Sequence, residues 1–186
     1  MIGNLPTKLK INNTLYNIRS DFRPCILILE ALNDRRLTDF DKIQILIKVL
    51  YKDVVLDGDL KEAYSKGIWF LNCGNTIDKP TSNRQLYSWE QDEQMLFSAI
   101  NKVAGKEVRS LEYLHFWTFM GLFNEIGEGM FSTVLSIRNK KAKGVKLEKW
   151  ERDFYKNNKT VVDLKLQLTE EEKNEINEVD NLLRPT

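Results

Sequence analysis

The chain is poor in the residues on which most catalytic and metal sites depend. Its 186 residues include one histidine, two cysteines, four prolines and nine glycines. With His115 as the only histidine, no second one exists to complete a zinc set. Cys25 and Cys73 have no C-x-x-C spacing, so two reduced thiols in a cytosolic chain are the simplest reading. There is no glycine-rich phosphate loop, nucleophile–base pair or metal quartet, and nothing reads as catalysis or calls for a cofactor. Catalytic groups can still converge from distant positions. No apolar run reaches the roughly 20 residues needed to span a bilayer. Residues 1–15 lack a continuous apolar core, so no signal peptide is expected. A formal net charge of +1 argues against nucleic-acid binding through overall basicity.

What is present suits a helical protein. Hydrophobic residues make up 42% and charged residues 30%, ordinary values for a globular chain. The length favours one domain with a real core. The dominant stretch is Leu111 to Ile137, LEYLHFWTFMGLFNEIGEGMFSTVLSI. Ser110 is a plausible N-cap for a helix from Leu111 that is apolar on nearly every side. Such a helix is buried all round, or divides its faces between the domain and a partner. Gly121 would let a neighbouring helix approach. Gly127-Glu128-Gly129 predicts a break, followed by a helix from Met130 to a cap at Gly144.

Elsewhere, Lys8–Ile11 and Thr14–Ile18 flank Asn12-Asn13 as a hairpin, which must pack on helices to be stable. A helix capped by Ser20 or Asp21 carries Pro24 in its first turn, and a second begins near Thr38 or Asp39 with Phe40, Ile43, Leu46, Ile47 and Leu50 inward. Asp57-Gly58-Asp59 is a turn before a helix over Leu60–Leu71, in which Gly67 weakens the end. Residues 75–87 read as a mobile polar loop. Ser88 to Gln91 resembles a capping box in which Gln91 reaches back to the cap. The helix it opens ends at Gly105, with Trp89, Leu96, Ile100 and Val103 as its core stripe. Residues 146–157 form a helix with Leu147, Trp150 and Phe154 inward and a Glu148–Arg152 pair. Val162, Leu164, Leu166 and Leu168 alternate as a strand that joins the hairpin or a partner. A capping box at Thr169–Glu172 opens an acidic helix with Ile176, Val179 and Leu183. The expected organisation is a helical domain over 1–160 including the hairpin, then a strand-like segment and acidic helical tail over 161–186.

Each candidate site has a bland account. His115 is expected to be packed and hydrogen-bonded. Cys25 reads as core and Cys73 as a helix-end residue. Glu90, Asp92 and Glu93 favour the positive end of a helix dipole more than they suggest a cation site. The basic run from Arg138, with Lys140, Lys141 and Lys143, reads first as a solvated helix end. Two rivals are nucleic-acid binding and contact with an acidic partner, including another copy's tail.

An ordered set of short pieces resembles a tailed-phage family known as bacteriophage gene product fifteen. It comprises Arg19-Ser20-Asp21-Phe22-Arg23, Asp41-Lys42-Ile43, Leu50-Tyr51, Phe70-Leu71-Asn72-Cys73-Gly74 and Tyr87-Ser88-Trp89-Glu90-Gln91-Asp92. Leu114-His115-Phe116-Trp117-Thr118-Phe119, Ile137 to Lys141 and Lys146 to Lys149 follow. The His-Trp-Trp pattern associated with the family stands here as His115-Phe116-Trp117. The resemblance covers about residues 11–157 and implies a protein without enzymatic activity, encoded just before the tape-measure gene of long-tailed phages. It implies a tail-assembly chaperone in the host bacterial cytoplasm that keeps the helical tape-measure protein soluble, with other tail proteins as alternative partners. Contact of the basic run with another copy's acidic tail would separately favour a homo-oligomer.

The combined expectation is a mainly α single domain with a small N-terminal β-hairpin. Trp117, Phe119, Phe123 and Phe131 would be divided between the core and an exposed aromatic groove, with Arg138, Lys140, Lys141 and Lys143 as charged flanks. A structural virion subunit is the second reading. A nucleic-acid-binding regulator using residues 138–149 is the third.

Overall fold

A computed structural model describes residues 3–55, 59–76, 86–165, 172 and 174. The Asp57-Gly58 part of the expected turn, residues 77–85 of the polar loop, Leu166 and Leu168 of the expected strand, and nearly all of the acidic tail lie outside these residues.

The chain starts with an antiparallel hairpin, β1 (Lys8–Ile11) and β2 (Thr14–Asn17), in the register Lys8↔Asn17 to Ile11↔Thr14. Asn12 takes φ +50°, a conformation that asparagine tolerates better than most residues. Leu9, Ile11 and Tyr16 point into the core, and Ile18 continues the chain into an isolated bridge with Tyr51. Among the described residues the hairpin is therefore held by helices and not by further strands.

Eight α-helices follow among the described residues: α1 (Phe22–Asn33), α2 (Asp39–Leu50), α3 (Leu60–Leu71), α4 (Glu93–Ala104), α5 (Phe116–Asn124), α6 (Met130–Ala142), α7 (Lys149–Asn157) and α8 (Lys159–Val162). The mainly α fold with an N-terminal hairpin is as expected. Local chemistry sets many of the ends. Asp21 caps α1 by accepting from the Arg23 N–H, and Thr38 with Asp41 forms a capping box on α2. Gly105 and Gly144, at φ +67° and +68°, close α4 and α6 in the left-handed conformation that glycine accommodates.

Several expectations are corrected. Phe40 is 68% exposed and Trp150 54% exposed, although both fit the periodic stripe of their helices; Val103 is also at the surface. At Gly121 an added Cβ would meet nothing within 4 Å beyond its own helix, so no neighbouring helix approaches there. The close approach occurs at Gly67 in α3. A Cβ there would lie 2.5 Å from Leu46 Cδ2 and 3.2 Å from Leu50 Cδ2 of α2. Val162 closes a short helix and not a strand. Arg152 donates from Nη1 to the Leu147 carbonyl, and Glu148 instead takes Lys140 and the Trp150 indole.

Gly67 sets two effects against each other. Alanine favours the helix by roughly 1 kcal/mol, whereas overpacking costs about 1–3 kcal/mol. Leu46 and Leu50 are fully buried and have little room to yield. Gly67→Ala is expected to lower stability by a net of up to ~2 kcal/mol, read as a lower urea midpoint. An unchanged or higher midpoint would show that α2 shifts freely.

Candidate functional site

The start of α5 differs from the expected one. Val108–Ser110 is a 3-10 turn, and the chain then runs extended to His115 before the helix begins at Phe116. This extended segment is fastened to the start of α1. Phe22 N donates to the Leu114 carbonyl, Phe116 N to the Ser20 carbonyl, and Leu114 N to Asp21 Oδ2. His115, not Ser110, is the N-cap. Its Nδ1 accepts from the Trp117 N–H at 3.1 Å, and its Nε2 lies 3.0 Å from the Pro6 carbonyl. An accepting Nδ1 and a donating Nε2 define the neutral Nε2–H tautomer, so the histidine is a buried structural cap.

The four aromatic candidates do not share a surface. Phe119 and Phe131 are buried. Phe119 stacks on Phe22 at 4.5 Å and lies against Trp89 and Phe97. Trp117 is half-buried at the end of α3, where its indole N–H donates to the Phe70 carbonyl at 2.8 Å and its ring meets Trp69 and Phe70. Gly74, at φ +84°, lets that ring approach, since a Cβ would sit 3.0 Å from it. Phe123 is on the other side of α5, half-buried between Tyr87, Trp89 and Phe131.

Tyr87 and Trp89 belong to the segment 86–92 that precedes α4, and a buried ion pair fixes this segment. Arg138, expected on the solvated basic run, is buried. Its Nη1 and Nη2 donate to the two carboxylate oxygens of Asp92 at 2.5 and 2.9 Å. The same guanidinium donates to the carbonyls of Leu86, Val161 and Val162. Asp92 also accepts from the Ser88 N–H, and Ser88 Oγ accepts from the Gln91 N–H, so the expected box opens a turn ahead of α4, whose N-cap is Asp92 and not Ser88. The Gln91 side chain instead accepts from Lys165 N and donates to the Asp163 carbonyl. One arginine thus joins α6, α8 and the aromatic segment.

Beside that segment is a cleft of about 510 Å³. Tyr87, Trp89, Phe123, Leu135, Ala31 and Leu37 are on its walls, with Glu30, Asp34, Arg36 and Glu90 among its polar groups. Next to it, and sharing Glu30, Trp89 and Glu90, a groove of about 480 Å³ runs between α1 and α4. Phe22, Ile26, Leu27 and Phe97 line it, with Arg23, Glu93 and Arg109 at its borders. Leu27 is 59% exposed there. Burial, and then the charges of Glu90 and Glu93, push the Glu30 carboxyl above its ordinary range.

The sign of that shift gives a test. A folded-state value above the unfolded one means that ionised Glu30 weakens the fold at neutral pH, an effect that disappears as the group protonates. Glu30→Gln is expected to be more stable than the parent at pH 7, the gap closing towards about pH 4, near the ordinary glutamate range. Thermal melts across that interval read it, and a less stable variant at pH 7 would contradict it.

The remaining basic residues are partly engaged. Lys140 pairs with buried Glu151 at 2.7 Å, and the hydrogen bond to Glu151 raises its ammonium above the usual range. Lys141 pairs with Asp163 and sits 3.8 Å above the Tyr155 ring. Lys143 is exposed. Burial pushes the Cys25 and Cys73 thiols up, which disfavours thiolate chemistry. Among the described residues no cluster is placed to hold a metal ion, and no helix is long and apolar enough to cross a membrane.

Sequence reasoning did not single out Tyr87, Trp89 and Phe97 as site residues. The visible signal was aromatic density on both sides of the Ser88 cap. The family described as Bacteriophage Gp15 protein matches residues 1–164. No curated protein and no solved structure matches the chain.

Proposed function

The chain belongs to the Bacteriophage Gp15 protein family, and from that premise we propose that it is a non-enzymatic tail-assembly chaperone that binds the tape-measure protein in the host bacterial cytoplasm. The observation that carries this reading is the cleft beside Tyr87, Trp89 and Phe123. A soluble helical client presents an apolar stripe, and an open aromatic cleft with a polar border is the complementary shape. Half-buried aromatics suit the task because they are already ordered and lose little side-chain freedom on binding. Arg138 contributes from below the surface, since it holds residues 86–92 in place. The exposed lysines remain charged flanks, with Lys143 the freest of those first singled out.

The test is co-expression of this chain with the tape-measure protein of the same phage, followed by affinity capture and light scattering. The client is expected to become soluble and to co-elute. Tyr87→Ala and Phe123→Ala should weaken the complex by roughly tenfold or more, the effect of losing an aromatic anchor, while the free protein stays folded. A client that remains insoluble, or that binds both variants as well as the parent, removes the reading.

A further inference from the structure

Two surfaces are chemical complements, one a groove that adjoins the aromatic cleft and the other a corner between α6 and α7. The groove along α1 and α4 is apolar at its floor and acidic at its border. Glu30, Glu90 and Glu93 line it, against Arg23 and Arg109. Both arginines are already engaged: Arg23 with Asp21 at 3.0 Å, and Arg109 with Glu107 at 2.9 Å and Glu93 at 3.5 Å. Arg109 also covers Phe97, with its guanidinium 4.9 Å from the ring centre. Glu30 and Glu90 make no side-chain hydrogen bond or ion pair with another described residue. Exposed Leu27 continues the apolar floor.

The corner between α6 and α7 has the opposite character. From Lys140 to Arg152 there are six cationic residues and two carboxylates. Trp150 and Val145 are exposed in the middle of it, 54% and 51%. Lys143, Lys146 and Lys149 flank them, and none forms an ion pair with a described residue. The corner is fixed in advance. Lys140 spans from α6 to Glu148 and Glu151, the capping box at Glu148 closes the start of α7, and the Trp150 indole N–H donates to Glu148 at 2.9 Å. An exposed, oriented tryptophan ringed by unpaired lysines is an anchor of the kind that dominates protein interfaces.

We propose that the chain self-associates head to tail, the basic Val145–Trp150 corner of one copy docking in the acidic groove along α1 and α4 of the next. Apolar anchor meets apolar floor, and unpaired lysines meet unpaired carboxylates. The interface is heterologous, so an open assembly always keeps one free corner and one free groove, and it grows as a filament or closes as a ring. It lies outside the proposed client cleft, although the two share the Glu30–Trp89–Glu90 border.

Complementary charge reversals test it. The parent protein is expected to gain mass with concentration in light scattering at low salt and to lose it as salt rises. K146E/K149E and E90K/E93K should each reduce self-association on the order of tenfold or more, with unchanged circular dichroism. Mixed together, the two variants should associate again, because the parent corner of one meets the parent groove of the other and the two reversed surfaces are themselves opposite in charge. Trp150→Ala should weaken the parent assembly as well. A parent that is monomeric throughout, charge variants that associate like the parent, or a mixture that stays monomeric overturns the proposal.

Discussion

Replacing Arg138 with alanine is expected to lower unfolding free energy by about 3–5 kcal/mol, the usual consequence of breaking a buried ion pair. The side chains of Arg138 and Asp92 are 5% and 0% exposed. Without the guanidinium, Asp92 keeps a buried charge with only the Ser88 N–H to compensate it. The carbonyls of Leu86, Val161 and Val162 lose the same donor. Against a total stability of about 5–15 kcal/mol, this is a large fraction. The loss should appear first where the arginine fastens three pieces together: residues 86–92 and α8 should exchange amide hydrogens faster than α1 and α2. A paired replacement, Arg138→Met with Asp92→Leu, should regain much of the stability, because it removes the buried charge on both sides. Urea unfolding at neutral pH reads both. A loss below about 1 kcal/mol for the alanine variant would be the size of an exposed pair, and the buried-clamp account would fail.

What the sequence made legible is what neighbouring residues decide. Asn12-Asn13 marks the hairpin, Asp21 and Thr38 cap their helices with side chains two or three residues from their targets, and Gly105 and Gly144 stop α4 and α6. What was hidden depends on residues far apart in the chain. The segment 111–115 is extended because residues 20–22 bond to it, which moves the cap from Ser110 to His115. Arg138 stands at the head of a lysine run and reads as solvated, but Asp92, 46 positions away, draws it inside. Gly67 looks like a weakness within its helix and is a close approach only once α2 lies across it. Periodicity placed Phe40 and Trp150 inward because a stripe shows which residues share a face, not whether a neighbour covers its end. The site followed the same pattern. Aromatic density located α5, but its division into core and surface depended on Tyr87 and Trp89 arriving from a different segment.

Phe119→Ala tests that division and should have an effect as large as that of Arg138→Ala. The ring is completely buried, stacked on Phe22 at 4.5 Å, with the Trp89 and Phe97 ring centres each 5.9 Å away. Removing it deletes aromatic burial and leaves a cavity that α1, α4 and α5 cannot all close, at a cost of about 3–5 kcal/mol. One helical turn further on, Phe123 is only partly covered, and its loss should cost stability well below that of Phe119. For client capture the order should reverse. Cooled until the folded fraction matches the parent, Phe119→Ala should bind the client within about threefold of the parent, a shift below 1 kcal/mol. Phe123→Ala, fully folded, should still lose roughly tenfold or more. Denaturant unfolding and titration of the client on both variants separate the two properties. If the folded Phe119 variant bound as poorly as the Phe123 variant, the client would be reading the packing of the whole α5 core. A local cleft beside Tyr87 would then be the wrong description of the site.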